Sequence, residues 1–252
     1  MRHTQRGWQP RNTRRGEIPQ RRKDMNSQNN QHEWKNNSAT DGTTGRTSLR
    51  DRRRSQKQQL LYLVQLALLT AVIMVLHFSG VAIPAFGTKI SLVLIPIALG
   101  AMLLGPTAGA ILGFIYGLTV YVSLGVMHMD PFTGFLFDNN PIMTFLICTV
   151  KTTAAGLLAG LVYRALSKKN ILLAVFITAA LVPTVNTGVF VLGCFLLYNT
   201  ISQIAASSGY SGVYFILIVC AGVNYLLELA INMIFSPALE RIIRAVSKKV
   251  RR

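Results

Sequence analysis

Long charge-free apolar runs alternate with short polar breaks over most of this chain. A helix rises 1.5 Å per residue, so about 20 apolar residues cross a hydrocarbon core of ~30 Å. No charge occurs from Gln58 to Thr88, which predicts a span over roughly 60–82. The charge-free stretch from Ile90 to Met129 is too long for one helix. Gly105-Pro106 divides it into spans at about 90–104 and 106–126, the first of them short and open to a kink at Pro96. A fourth span is expected from Pro141 to Leu166, with Lys151 inside it. From Asn170 to Leu227 there is again no charge, and the polar stretch Tyr198 to Ser211 splits it into spans at about 170–197 and 212–238. The predicted fold is an all-α membrane protein, a bundle of six transmembrane helices within residues 60–245.

Charge fixes the expected orientation. Residues 1–59 hold 15 Lys/Arg and 5 Asp/Glu, and the other 193 residues hold 11 and 4. Arg164, Lys168 and Lys169 follow the fourth span, and six more basic residues follow the sixth. Of 26 basic residues, 24 fall on one side of the six spans, with Lys89 and Lys151 the exceptions. The positive-inside rule makes that side the cytoplasm and places both termini there.

The first 59 residues are rich in Arg, Gln, Asn, Ser and Thr, with almost no aliphatic side chains. Such a segment cannot bury enough apolar surface to offset the entropy of ordering, so a disordered basic cytoplasmic tail is expected at 1–59. The first apolar run begins near Leu60, too far along for a secretory signal peptide, so it reads as a retained span. Contact with the bilayer and its anionic lipid suits the tail better than nucleic acid, since no aromatics interleave its charges. A short basic cytoplasmic end is expected at 246–252.

Small residues recur along two spans. Gly105, Gly109, Gly113 and Gly117 are spaced by four, as are Gly156 and Gly160. That spacing lets helix backbones approach closely and predicts a compact bundle. Cys148, Cys194 and Cys220 all lie in apolar runs without metal-ligand spacing, so they read as packing residues and no metal site is expected.

The candidate chemistry lies at membrane depth, where ionisable groups are expensive. Lys151 lies ten residues into the fourth span, and Asn224, Glu228 and Asn232 share one helical face of the sixth. The fifth contributes Pro183, Thr184, Asn186 and Thr187. Counted from the outer ends, Lys151, Asn186 and Asn224 fall roughly 15–20 Å deep, near the midplane. Two readings follow: a binding pocket, or a structural salt bridge between Lys151 and Glu228 with interhelical amide bonds. The outer loop from His128 to Asn140 mixes Phe132, Phe135 and Phe137 with Asp130, Asp138 and Asn139, a composition that suits either a lid or an interfacial loop.

There is no GxxxxGK[ST] phosphate loop, no HExxH and no GxSxG, which argues against an ATPase or hydrolase. No catalytic residue and no cofactor is expected. Transport, if that is the task, draws its energy from another protein.

Three stretches carry a family resemblance: the pair Ala67 and Ala71 in the first span, the stretch Leu94 to Gly117, and Val185-Asn186-Thr187-Gly188. On these the chain resembles the substrate-binding S component of energy-coupling factor (ECF) vitamin transporters over about residues 60–245. The resemblance implies a six-helix subunit that binds a small water-soluble vitamin from outside. It further implies docking on a transmembrane scaffold subunit and two ATPase subunits, with Ala67 and Ala71 facing the scaffold, and transport by toppling of the whole subunit. The expected ligand contacts are Lys151, Asn186, Thr187, Asn224 and Glu228, with Asp130 and Asn139 from the outer loop. A buried Lys favours an anion, and pantothenate leads because it offers one carboxylate together with hydroxyl and amide groups. A structural protein of the cell-elongation machinery, similar to the MreD family, is the alternative.

Overall fold

The computed structural model describes residues 56–79 and 92–250, with short pieces at 28, 30–31, 84–85 and 88–89. The chain divides into two compact units, Met1–Leu60 and Leu61–Arg252. The expected disordered tail falls almost wholly outside the described residues, as do the last two residues of the basic carboxyl end.

The long apolar runs are helices. They are α1 (Gln56–Phe78), α2 (Leu94–Leu104), α3 (Pro106–Val120), α4 (Pro131–Asn139), α5 (Pro141–Leu166), α6 (Ile171–Leu196), α7 (Tyr198–Ser207), α8 (Gly212–Tyr214) and α9 (Val223–Val250). A π-helical stretch, Tyr121–Val126, extends α3, and another, Phe215–Gly222, joins α8 to α9 without a break. Apart from these, Pro84–Ala85 pairs antiparallel with Thr88–Lys89. The chain is an all-α membrane protein.

Five helical stretches are long and apolar enough to cross a membrane: Gln56–Phe78, Pro106–Val126, Pro141–Leu166, Ile171–Leu196 and Gly212–Val246. The second expected span is different. The α2 helix has 11 residues, which rise ~16 Å, about half the hydrocarbon thickness. It begins at Leu94, so Pro96 lies in its first turn, where a missing N–H needs no partner and causes no kink. Leu94, Ile97, Ala98 and Ala101 are buried, and α2 packs against α3, α5, α6 and α9. It is a short central helix rather than a sixth long one.

Gly105 ends α2 with φ +99°, a backbone conformation that favours glycine, and Pro106 opens α3. Gly105 is therefore a turn residue and not part of the packing stripe. The stripe begins at Gly109. A Cβ there would strike the Gly156 backbone, and one on Gly156 would strike Gly109. Gly113 lies on the Thr152 carbonyl, Gly117 on the Cys148 carbonyl, and Gly160 on Pro106. Thr149, Thr152 and Thr153 donate to the carbonyls of Phe145, Cys148 and Thr149 at 2.7, 3.1 and 2.6 Å. Their hydroxyls are thus satisfied within their own helix while α3 and α5 meet backbone to backbone.

One stripe of α1 reaches the core through Leu69 and Ile73. His77 Nε2 lies 2.7 Å from Ser123 Oγ, and the Thr119 hydroxyl donates to Met74 Sδ at 3.5 Å. The opposite face of α1, including Leu63, Val64, Ala67, Leu68, Ala71 and Val72, is exposed.

Two expected loops are helical. Asp130 caps α4 by accepting from the Thr133 N–H at 2.8 Å, and Pro131 takes the first helical position. The stretch after α6 forms α7 because Ile201 and Ala205 recur at helical spacing and are buried. A second hydrophobic core results, joining Leu136 of α4, Ile147 of α5, Cys194 of α6, Ile201 of α7 and Phe215 and Ile216 beyond α8.

Candidate functional site

Several polar residues of α5, α6 and α9 are buried or half-buried, whereas Thr184 of α6 is exposed and donates to the Ala180 carbonyl at 2.8 Å. Lys151 is half-buried on α5, and its Nζ lies 4.8 Å from the centre of the Phe190 ring of α6. Phe190 stands 6.3 Å from Phe132 of α4, and Phe132 stands 6.3 Å from Phe215. A column of aromatic rings thus covers the Lys151 ammonium from the α4 end. Asn186 is one helical turn from Phe190 on the same face of α6, and it is buried. Thr187 beside it is half-buried.

On α9 the fourfold spacing produces an inward polar row. Glu228 is 3% exposed and Asn232 is 1% exposed, with Ser236 buried a turn further on. Asn224 Nδ2 donates to Glu228 Oε1 at 3.3 Å, and Asn232 Nδ2 donates to the Glu228 carbonyl at 2.8 Å. The salt bridge of the second reading, Lys151 with Glu228, is not formed. Among the described residues the ion pairs are His128–Asp138 and Glu240–Arg244, and Glu228 has none. Lys151 is within electrostatic reach of Glu228 but takes the Phe190 ring as its contact. The α5 helix packs along α6, which sets Lys151 against the Phe190 ring, and the Glu228 carboxylate is held by Asn224 on its own helix.

The lid residues serve α4 itself. Asp130 Oδ2 accepts from both the N–H and the hydroxyl of Thr133 at 2.8 Å. Asn139 Nδ2 donates to the Phe135 carbonyl at 2.9 Å, and its side chain is exposed. His128, with φ +51°, turns the chain into α4 and packs on Gly134. Its Nε2 lies 3.0 Å from Asp138 Oδ1, and this hydrogen bond, followed by one to the Val126 carbonyl, raises the imidazole pKa above 6.5.

Asn186, Asn224, Glu228 and Asn232 each carry a buried oxygen with no hydrogen-bond partner, and so does Thr178 on α6. Buried polar atoms are nearly always paired, so unpaired ones on two adjacent helices make this layer the candidate site. Thr178 was not legible as a site residue, because an isolated Thr in an apolar helix usually bonds its own carbonyls.

Residues 61–240 match the family of ECF transporter, substrate-specific component. The chain belongs to that family. No curated protein matches it significantly. An ECF S component is the substrate-specific subunit of a transporter, not an enzyme, and works with ECF scaffold and ATPase modules on a small-molecule substrate. The membership decides between transporter subunit and cell-elongation protein, and it fits the unpaired polar layer on α6 and α9.

Proposed function

We propose that this S component takes up a small water-soluble vitamin, with pantothenate the first compound to test, and binds it between α5, α6 and α9. The reading rests on one observation above the rest: Lys151 is half-buried, lies over the Phe190 ring and has no carboxylate partner among the described residues. An ammonium so placed is a ready counter-charge for a ligand carboxylate. Asn186, Thr187, Asn224 and Glu228 supply polar contacts at neighbouring depth, and Phe132 and Phe190 cover the apolar part. Asp130 and Asn139 act indirectly, by keeping α4 helical as a lid. Charge placement sets the direction: the α4 end faces outward, both termini and the basic residues 1–59 face the cytoplasm, and the tail lies along anionic lipid. In this arrangement α2 completes a six-helix domain over 60–245. The exposed Ala67 and Ala71 form the flat strip that the scaffold subunit packs on, with two ATPase subunits behind it.

Thermal shift of the purified protein against a panel of pantothenate, riboflavin, folate and cobalamin tests this. Pantothenate is expected to raise the melting temperature of the wild type and not of Lys151→Ala. No shift with any vitamin removes the proposal.

A further inference from the structure

The five unpaired atoms are all oxygens: Thr178 Oγ1, Asn186 Oδ1, Asn224 Oδ1, Glu228 Oε2 and Asn232 Oδ1. Amide and carboxylate oxygens only accept hydrogen bonds. Two of the amides have their orientation fixed, since Asn224 and Asn232 turn their NH2 groups to Glu228 at 3.3 and 2.8 Å. Their oxygens must therefore face elsewhere. The three amide oxygens and the Glu228 oxygen are thus acceptors without a donor, while the Thr178 hydroxyl can donate as well as accept. No Lys, Arg or His pairs with Glu228 among the described residues, so no cation fills the deficit.

The atoms are also ordered in space. Thr178 and Asn186 are eight residues apart on α6, as are Asn224 and Asn232 on α9. Each pair spans ~12 Å of helix, with Glu228 midway along its own. The α6 and α9 helices pack against each other, and Lys151 sits beside Phe190, one turn from Asn186. Asn186 thus marks the Lys151 end of the α6 row, and Thr178 lies two turns further from it. A ligand that enters past Lys151 meets first a cation and then a run of acceptors.

We propose that Thr178 and Asn232, with Glu228, extend the binding site as a hydrogen-bonding track in which Asn232 and Glu228 accept and the Thr178 hydroxyl accepts or donates. The ligand enters this track with a hydrogen-bond-donor end of hydroxyl, amide or amino groups, and leaves its anionic end at Lys151. This deepens the vitamin-binding reading and rests on it. It assigns two specificity-determining residues and sets the ligand's polarity: negative toward the α4 lid, donor-rich toward the far end of α6.

The full chain in lipid nanodiscs provides a test in two arms. Without ligand, Glu228→Gln replaces an unpaired acceptor by a carboxamide that donates, so the melting temperature is expected to rise by about 2–4 °C. Thr178→Val, which removes an unpaired hydroxyl, is expected to hold or raise it. A fall in both variants means that the residues serve structure alone and overturns the proposal. An unmoved Glu228→Gln means that bound water already supplies the donors, and it overturns the proposal equally. In the second arm, the vitamin that shifts the wild type is titrated into Thr178→Val and Asn232→Leu, and its O-methylated analogue into the wild type. Each is expected to bind about tenfold more weakly, the usual cost of a lost hydrogen bond. Equal binding throughout ends the hydrogen-bonding track but leaves the vitamin reading intact. Stabilisation by Glu228→Gln without any vitamin response keeps the track and ends the vitamin reading.

Discussion

Two helix seams in this bundle carry polar side chains, and they treat them in opposite ways. Along α3–α5 the Thr hydroxyls bond back to carbonyls of their own helix, and glycines bring the backbones into contact. Nothing polar named there lacks a partner. Along α6–α9 five buried oxygens have none. The first seam is complete as it stands. The second has the form of a half-made set of bonds, and a membrane interior offers no water to finish it. Polar residues in a membrane helix are thus sorted by satisfaction rather than by type: a Thr with its i−4 carbonyl is complete in its own helix, and an Asn with an idle oxygen is a candidate ligand contact.

The largest expected effect lies at the complete seam. In Gly156→Val the new Cβ meets the Gly109 backbone, which has no rotamer to yield. A destabilisation of roughly 3 kcal/mol is expected, visible as loss of the monodisperse peak in fluorescence-detected size-exclusion chromatography. Recovery of wild-type amounts of folded protein would show that the seam is looser than its contacts imply. At the unfinished seam the expected pattern reverses. Lys151→Ala should keep the melting temperature near wild type and weaken an anionic ligand by about ten- to a hundredfold, as loss of a charged hydrogen bond does. Unchanged affinity with a lower melting temperature would return Lys151 to a structural role.

Much of this was legible in the sequence, and the rest had physical reasons to be hidden. Charge-free runs located four of the five long helices to within about four residues, because the membrane admits little else, but the last, expected to end near 238, continues as helix to Val250. The spacing of Gly109, Gly113 and Gly156 announced the tight seam. The length of α2 was misjudged because apolarity alone does not mark where a helix starts, and Pro96 proved to be a first-turn residue. The polarity of α4 suggests a loop, although Asp130-Pro131 and Asn140-Pro141 are both capping residues followed by a proline, a start signal that outweighs local polarity. At the site, fourfold spacing gave the α9 row. Whether Lys151 pairs with Glu228 depends on which faces meet across three helices, and no single-chain periodicity carries that.

Smaller effects sharpen the contrast away from both seams. Ala67→Leu adds bulk to a face of α1 that the protein itself leaves uncovered. Ligand-dependent melting of the isolated subunit should stay the same, while uptake by the reconstituted transporter falls several-fold. Lost binding would mean that α1 feels the site. The smallest effect belongs to the lid. His128 has its pKa raised in the folded protein, so its pairing with Asp138 stabilises fully below the ordinary value of 6.5 and is lost as pH rises through the raised value. His128→Gln should flatten that part of the pH dependence of the melting temperature, and an unchanged slope would remove the pair from the account.

The glycine seam has a mechanical consequence. Two helices that touch through their backbones have no side-chain layer to slide on, so α3 and α5 resist shear along their length. Torque applied to the exposed flank of α1 would find a stiff spine behind it. The two helices would then move as one piece instead of sliding past each other.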